Sequence, residues 1–411
     1  AAPLPSALSV TPVGAPAAGR TSSDAGVPAS SGTPIGQSLQ LLEGSWTGPL
    51  AETPGAPPAP PVPPPFVFIH EIQGDGDRVV ITTPVTVEAI VTSLFEDDDV
   101  VEGFFLQEED ADQDTNPATS EGIFVFCDDG CPTGLAVGDK VEVVGTPEEF
   151  FGMSQIDAAP SAGGAVSIVV GGQPLPSATS LSLPAGNATD AELTFEPVEG
   201  MIAVFDGDLV VSEYFQLARF GQVVLTADAR PFQFTDENAP SVPGYAAFLD
   251  DLATRRIILD DNNNDQNDAI FGPLDNEPYP YPSPGLSTTN FFRGGDRVAG
   301  LTGVMHWSWA GSGGTDAWRI RPIDGVDYTF ESENPRPVEV PAVDGDLTVA
   351  SFNVLNYFTT IDEPGAVCGP SNIGCRGAHS TAELERQRAK IVDALAEIDA
   401  DVVGLIEIEN N

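Results

Sequence analysis

The chain has 411 residues and carries 62 Asp plus Glu against 16 Lys plus Arg, a formal net charge of −46. So acidic a chain excludes a nucleic-acid grip built on clustered basic residues and counterion release, and only Lys140 and Lys390 are lysine. The surface suits a salty or calcium-containing medium that screens self-repulsion, with plain solubility as the simpler reading.

A hydrophobic content of 41% excludes wholesale disorder, and the length allows two to four domains. No run approaches the roughly 18 apolar residues a membrane helix needs. The start Ala1-Ala2-Pro3 has no Met and no apolar leader, which predicts either a removed signal or a beginning inside a longer protein.

Residues 1–65 are rich in Ala, Pro, Ser and Gly and end in Pro57-Pro58-Ala59-Pro60-Pro61-Val62-Pro63-Pro64-Pro65, predicting a stiff polyproline II spacer at a domain boundary. Within them, Ser38-Leu39-Gln40-Leu41-Leu42-Glu43-Gly44-Ser45-Trp46-Thr47-Gly48-Pro49 resembles the closing strand of a lamin-tail domain. Residues 66–165 predict five short strands, at 66–72, 85–95, 103–107, 122–127 and 140–144, separated by Gly and Asp clusters. That pattern suggests a small OB-fold-like barrel.

Residues 166–335 predict a second β-rich domain with strands at 200–204, 222–226, 256–259, 296–304 and 318–321, and helical periodicity is nearly absent from both regions. Cys127 with Cys131 and Cys368 with Cys375 form two close pairs, read as disulfide-closed loops of a secreted protein. Reduced thiols are the second reading and zinc a distant third, since the chain has three His.

A Pro-rich hinge at 336–345 precedes a change of class. Leu347-Thr348-Val349-Ala350-Ser351-Phe352-Asn353 reads as a strand. Ser380 with Glu383 forms a capping box for a helix whose Leu384, Ile391, Leu395 and Ile398 share a face. Asp399-Ala400-Asp401 ends it, and the apolar run Val402-Val403-Gly404-Leu405-Ile406-Glu407-Ile408 predicts a strand buried on both faces. Residues 346–411 thus read as the opening of an α/β domain, and the chain as a fragment.

Asn353 and Glu407 stand at the carboxyl ends of these strands, where α/β proteins place their sites. An amide beside a carboxylate can hold a hard divalent cation and the phosphate oxygen it polarises, although such residues are more often turn formers or solvated charges. By strand alternation Glu409 competes equally with Glu407.

Ser351-Phe352-Asn353-Val354-Leu355-Asn356-Tyr357-Phe358, Cys375-Arg376-Gly377-Ala378 and Gly404-Leu405-Ile406-Glu407-Ile408-Glu409-Asn410-Asn411 closely resemble the start of the catalytic domain of secreted ExeM/NucH-type nucleases. These belong to the endonuclease/exonuclease/phosphatase superfamily, with a deoxyribonuclease I-like α/β sandwich. Gly103-Phe104-Phe105-Leu106-Gln107-Glu108-Glu109-Asp110, Leu259-Asp260-Asp261 and Arg293-Gly294-Gly295-Asp296 look like that family's accessory β domains.

The resemblance covers about residues 66–411. It implies that Asn353 is the first-strand amide at the metal and phosphate site, and that Glu407, rather than Glu409, is the Mg²⁺ or Mn²⁺ ligand. The family's later His, Asp and Asn residues have no counterpart before Asn411, and His379 does not match them, so the chain alone is expected to be inert.

A second candidate is Asp110, Asp112, Asp114, Asn116 and Glu121, whose carboxylates fall at positions one, three, five and twelve of an EF-hand-like Ca²⁺ loop. Thr115 stands where such a loop needs Gly, which favours a looser Ca²⁺ loop or a solvated acidic turn. Asp260-Asp261-Asn262-Asn263-Asn264-Asp265-Gln266-Asn267-Asp268 is a denser oxygen cluster that lacks a closing Glu. Phe104, Phe105, Phe124 and Phe126 could stack bases, but with Arg78 and Lys140 the only basic residues of 66–165 they read as core. Arg255 with Arg256, Arg293 with Arg297, and Arg319 with Arg321 read as internal ion pairs, and Asn187-Ala188-Thr189 matches a glycosylation sequon.

The leading expectation is a secreted or cell-surface, metal-dependent hydrolase of phosphodiester bonds in DNA or RNA. The alternatives are a lipid or sugar phosphodiesterase of the same superfamily and a non-catalytic, Ca²⁺-binding extracellular β module.

Overall fold

A computed structural model describes residues 62–95, 102–186, 194–261, 281–309, 316–323 and 325–409, with the backbone of two further strands. Those two, β1 (Gln37–Leu42) and β2 (Ser45–Ala51), form an antiparallel hairpin over the segment read as a lamin-tail strand. The sequon at 187–189 and positions 262–268 of the Asp260 cluster lie outside the described residues. The chain divides into two compact units, residues 1–331 and 332–411.

The first unit is β-rich. After the short helix α1 (Ile69–Gln73), strands β3 (Val85–Phe95), β4 (Gly103–Gln107), β5 (Gly122–Phe126), β6 (Lys140–Phe150) and β7 (Met153–Asp157) close a five-stranded ring in the order β3-β4-β5-β7-β6, with β6 returning to β3. Strand β8 (Ala165–Val170) extends β6 on the outside.

The strand expected at 66–72 is a single bridge, Phe66 with Thr86, followed by α1. Glu71 decides the difference, because its Oε2 accepts the Phe68 N–H at 3.0 Å, as a glutamate in the first helical turn can. Ile69 and Ile72 then plug the barrel among Val87, Phe104, Leu106, Ile123 and Val141.

The second sheet runs β17-β14-β11-β12-β13-β16-β15-β10-β9. Its strands are β9 (Thr179–Leu181), β10 (Ile202–Phe205), β11 (Asp208–Glu213), β12 (Val223–Ala227), β13 (Arg256–Leu259), β14 (Arg297–Ala299), β15 (Thr302–Trp309), β16 (Asp316–Arg321) and β17 (Phe330–Glu331). The single strand expected at 296–304 is split at Gly300, whose φ of 58° turns the chain between β14 and β15.

Among the described residues, three α-helices interrupt this region: α2 (Leu217–Phe220), α3 (Phe234–Glu237) and α4 (Val242–Thr254). Helix α4 runs against the expected lack of helix. Ser241 caps it by accepting the Gly244 N–H at 3.2 Å, and Pro243 sits in the first turn, where a missing N–H costs nothing.

All five residues of β4 are buried because both of its faces are covered. Phe104 and Leu106 point into the barrel, while Phe105 packs with Phe95, Phe124, Ile202, Val304 and Ile323 in a layer shared with the second sheet. Gln107 fastens the same seam, its Oε1 accepting the Ile202 N–H at 2.7 Å. Phe104, Phe105 and Phe124 are therefore core side chains and offer no stacking platform.

In the second unit, β18 (Val349–Tyr357) pairs in parallel with β21 (Val402–Ile408), with Val349 opposite Val402 and Asn353 opposite Ile406. The crossover carries the small hairpin β19 (Val367–Cys368) and β20 (Ile373–Gly374), then helix α5 (Thr381–Ile398). Ser380 Oγ caps α5 by accepting the Glu383 N–H at 3.2 Å, and Asp399 ends it in the left-handed conformation. Leu384, Gln387, Ile391, Ala394, Leu395 and Ile398 make the half-buried stripe, at i, i+3, i+4 and i+7 spacing.

Val402, Leu405, Ile406 and Ile408 are 38 to 51% exposed, contrary to a strand covered on both faces. The physical reason is that this sheet holds two strands among the described residues, so β21 has one neighbour and an open face. Disulfides join Cys127 to Cys131 and Cys368 to Cys375. No helix among the described residues is long and apolar enough to cross a membrane.

Candidate functional site

Parallel pairing places the carboxyl ends of β18 and β21 on one edge. There the regular register stops: after Asn353 with Ile406, the next pair is Tyr357 with Ile408. Leu355 and Asn356 fill the gap with φ of 54° and 51°, and Glu407 across from them has φ of 63°. Three non-glycine residues in the left-handed region at the ends of these two paired strands store strain of the kind found at functional sites.

The bulge aims polar groups at Glu407. Asn353 Nδ2 donates to Glu407 Oε1 at 2.8 Å, and the Asn356 N–H donates to Oε2 at 3.2 Å. Asn353 is itself held, because its Oδ1 accepts the Leu355 N–H at 2.9 Å. From α5, Gln387 Nε2 donates to the carbonyls of Leu355 at 2.7 Å and Val354 at 3.3 Å, pinning the bulge to the helix. The Glu407 carboxylate is exposed, and each of its oxygens keeps lone-pair capacity beyond these single bonds.

Glu409 has a different occupation. Its Oε2 accepts the N–H groups of Thr359 and Thr360 and the Thr359 hydroxyl, and its Oε1 accepts the Thr360 hydroxyl at 2.6 Å. The Thr360 and Thr359 hydroxyl bonds lead in pulling its carboxyl down to about 2. It is a loop clamp, spent on local structure.

Beside Asn353 lies a cavity of about 930 Å³ between β18, the Arg376 loop and α5. Arg336, Arg376, Arg386 and Lys390 line it, four of the five Lys and Arg residues of 332–411. Glu383 is the one carboxylate lining it, 3.9 Å from Arg386 Nη2. Sequence reasoning passed over these cations as site residues. The available signal was Arg386 and Lys390 one turn apart on α5, next to the half-buried stripe. His379 lies outside this lining and faces Asp362, its Nδ1 3.0 Å from the Asp362 carbonyl.

The five residues of the expected Ca²⁺ loop lie between β4 and β5 and fall into different groups rather than around one point. Asp110 turns to Ser177, whose hydroxyl and N–H bonds hold its carboxyl below the usual range. Asp114 accepts from the Asn116 N–H and the Thr119 hydroxyl, and Asn116 from the Ala118 N–H. Asp114 and Glu121 group instead with His70, and Asp112 with Glu108 and Glu109. An EF-hand wraps its ligands through a glycine turn between two helices, whereas here Thr115 sits between two antiparallel strands.

Asp260 is buried and ion-paired with Arg319, so it is committed to the core of the second sheet. Arg321, also buried, donates from Nη1 to the Asp261 carbonyl at 2.5 Å and from Nε to His306 Nδ1 at 3.2 Å. Arg255 pairs with Asp228 at 3.0 Å and Asp251 at 3.3 Å. The two arginines of β16 are thus engaged inside the protein, Arg255 pairs with carboxylates at the surface, and Arg256 of β13 is exposed.

Comparison with known protein families and with curated proteins finds no match.

Proposed function

We propose that residues 332–411 carry the metal and phosphate half-site of a secreted phosphodiester hydrolase acting on DNA or RNA, of the deoxyribonuclease I-like class. One observation carries this reading: Asn353 holds Glu407 at the open carboxyl edge of two parallel strands, beside a cavity lined by four cations. In so acidic a chain, a concentration of arginines facing an accessible cavity calls for an anionic ligand.

The donor set suits Mg²⁺ or Mn²⁺, hard ions that take carboxylate oxygen and leave room for water and phosphate. Such an ion supplies charge stabilisation at phosphorus and an acidified water. Glu407 would hold it. Asn353, with Asn356, fixes the carboxylate in one orientation, and Arg376, Arg386 and Lys390 would grip non-bridging phosphate oxygens.

The same reading takes the closed ring β3-β4-β5-β7-β6 as OB-fold-like and the two disulfides as signs of an oxidising compartment.

On this reading, DNA cleavage by a protein that joins this chain to the superfamily's later catalytic residues should require Mg²⁺ or Mn²⁺. Glu407→Ala should lower kcat by on the order of a hundredfold or more while circular dichroism stays unchanged. Undiminished cleavage by Glu407→Ala would sink the assignment.

A further inference from the structure

Where β4 leaves the barrel, carboxylates crowd beyond what hydrogen bonding satisfies. One carboxylate oxygen from each of Glu108, Glu109 and Asp112 lies within 4.8 Å of the other two. Glu108 is 1% exposed: its Oε1 accepts the Ile69 N–H at 2.8 Å, while its Oε2 is buried without any hydrogen-bond partner. Glu109 Oε2 is likewise buried and unpartnered. An orphaned oxygen on each of two clustered carboxylates costs free energy that a bound cation would recover.

Lys140 already touches this group, its Nζ 2.6 Å from Glu109 Oε1 and 2.9 Å from Glu88 Oε1. One ammonium faces two carboxylates there, so Glu108 and Asp112 stay uncompensated, and Lys140 approaches the opposite oxygen of Glu109 from the orphaned one. The neighbouring group of His70, Asp114 and Glu121 lacks such vacancies. Glu121 Oε2 pairs with His70 Nδ1 at 2.9 Å, and its Oε1 accepts the Asp114 N–H at 2.7 Å.

We propose that Glu108, Glu109 and Asp112 bind one Ca²⁺ ion, a site separate from Glu407 and built on ligands different from an EF-hand count. The donors are all hard oxygens, which excludes soft-metal preferences. Oxygens at about 2.4 Å from a shared ion can stand up to about 4.8 Å apart, which suits Ca²⁺ better than the tighter shell of Mg²⁺. Water fills the remaining positions on the side where Asp112 is exposed. The ion would tie the start of the β4–β5 connection, through Glu108 and the Ile69 N–H, to the helix that plugs the barrel.

The test is calorimetric Ca²⁺ titration of the whole chain carrying Glu407→Ala, so that the strand-end carboxylate does not contribute. The expected result is one Ca²⁺ with a dissociation constant between about 10⁻⁵ and 10⁻³ M. Asp112→Asn should weaken binding at least about tenfold, the isosteric Glu108→Gln should abolish it, and Asp114→Asn should leave it unchanged. Asp112 is exposed, so its variant decides the matter even if Glu108→Gln fails to fold. Absence of binding, unchanged affinity in Asp112→Asn, or loss in Asp114→Asn with retention in Asp112→Asn would each overturn the proposal.

Discussion

The two units handle scarce positive charge in opposite ways. In the second sheet, Arg319 and Arg321 are buried beside Asp260 and the Asp261 carbonyl, and Phe95 stacks under Arg321 at 5.6 Å. Their charge is consumed in holding strands together. In residues 332–411, Arg336, Arg376, Arg386 and Lys390 line a cavity with Glu383 as the one carboxylate among them. The same residue type is thus structural in one place and available in the other. What differs is whether a strand partner supplies a carboxylate at hydrogen-bond distance.

The largest test of that contrast is Asp260→Ala. It would remove the carboxylate paired with the buried Arg319, and should destabilise the first unit by about 3–5 kcal/mol in chemical denaturation. Loss below about 1 kcal/mol would mean that water reaches the pair.

Next comes pH. Burial leads in pushing the Glu108 carboxyl up to about 8, with Glu121, Glu109 and Asp112 adding to it, and burial beside Glu196 raises Glu199 in the same direction. A carboxyl raised in the folded state keeps a proton that the unfolded chain has released. In chelator-treated protein, stability should therefore fall as pH rises from about 4.5 to about 8. Glu108→Gln should flatten part of that slope, and an unchanged slope would show that Glu108 is already ionised at low pH.

On the other unit, Arg386→Ala should weaken binding of a short oligonucleotide several-fold and reduce the salt slope by about one, read by fluorescence anisotropy. Stability should hardly move, because Arg386 is exposed and its contact to Glu383 is long at 3.9 Å. The smallest effect is Ser380→Ala, which removes the cap of α5 and should cost about 1 kcal/mol in thermal unfolding.

Much of the β framework was legible in the chain. Residues 85–95, 103–107 and 256–259 are strands as expected, because alternating or continuous apolar runs bounded by Gly and Asp leave few other ways to bury them. The helix at Ser380 was equally plain, since the capping box and the spacing of Leu384, Ile391, Leu395 and Ile398 agree.

Other segments were misread for local reasons. Helix α4 hides behind Pro243 and Gly244, which read as breakers although they sit in the first turn. Helix α1 hides in an apolar run too short for its period to show, and one Glu71 hydrogen bond tips it.

At the site, position along the chain pointed to Asn353 and Glu407, since a polar residue closing a buried-type strand is conspicuous in sequence. Alternation left Glu407 and Glu409 equivalent, and it is the two threonines folding back on Glu409 that make them different. The cavity cations come from 336, 376, 386 and 390, and the Ca²⁺ candidates pair 108 and 109 with 112 beside a lysine at 140. Sequence order carries local rules: strand alternation, helix caps, turn residues. Which charges meet an opposite charge and which face open space depends on strand pairing and chain crossovers, so the −46 of the chain became informative only once folding had sorted its few cations into buried partners and cavity walls.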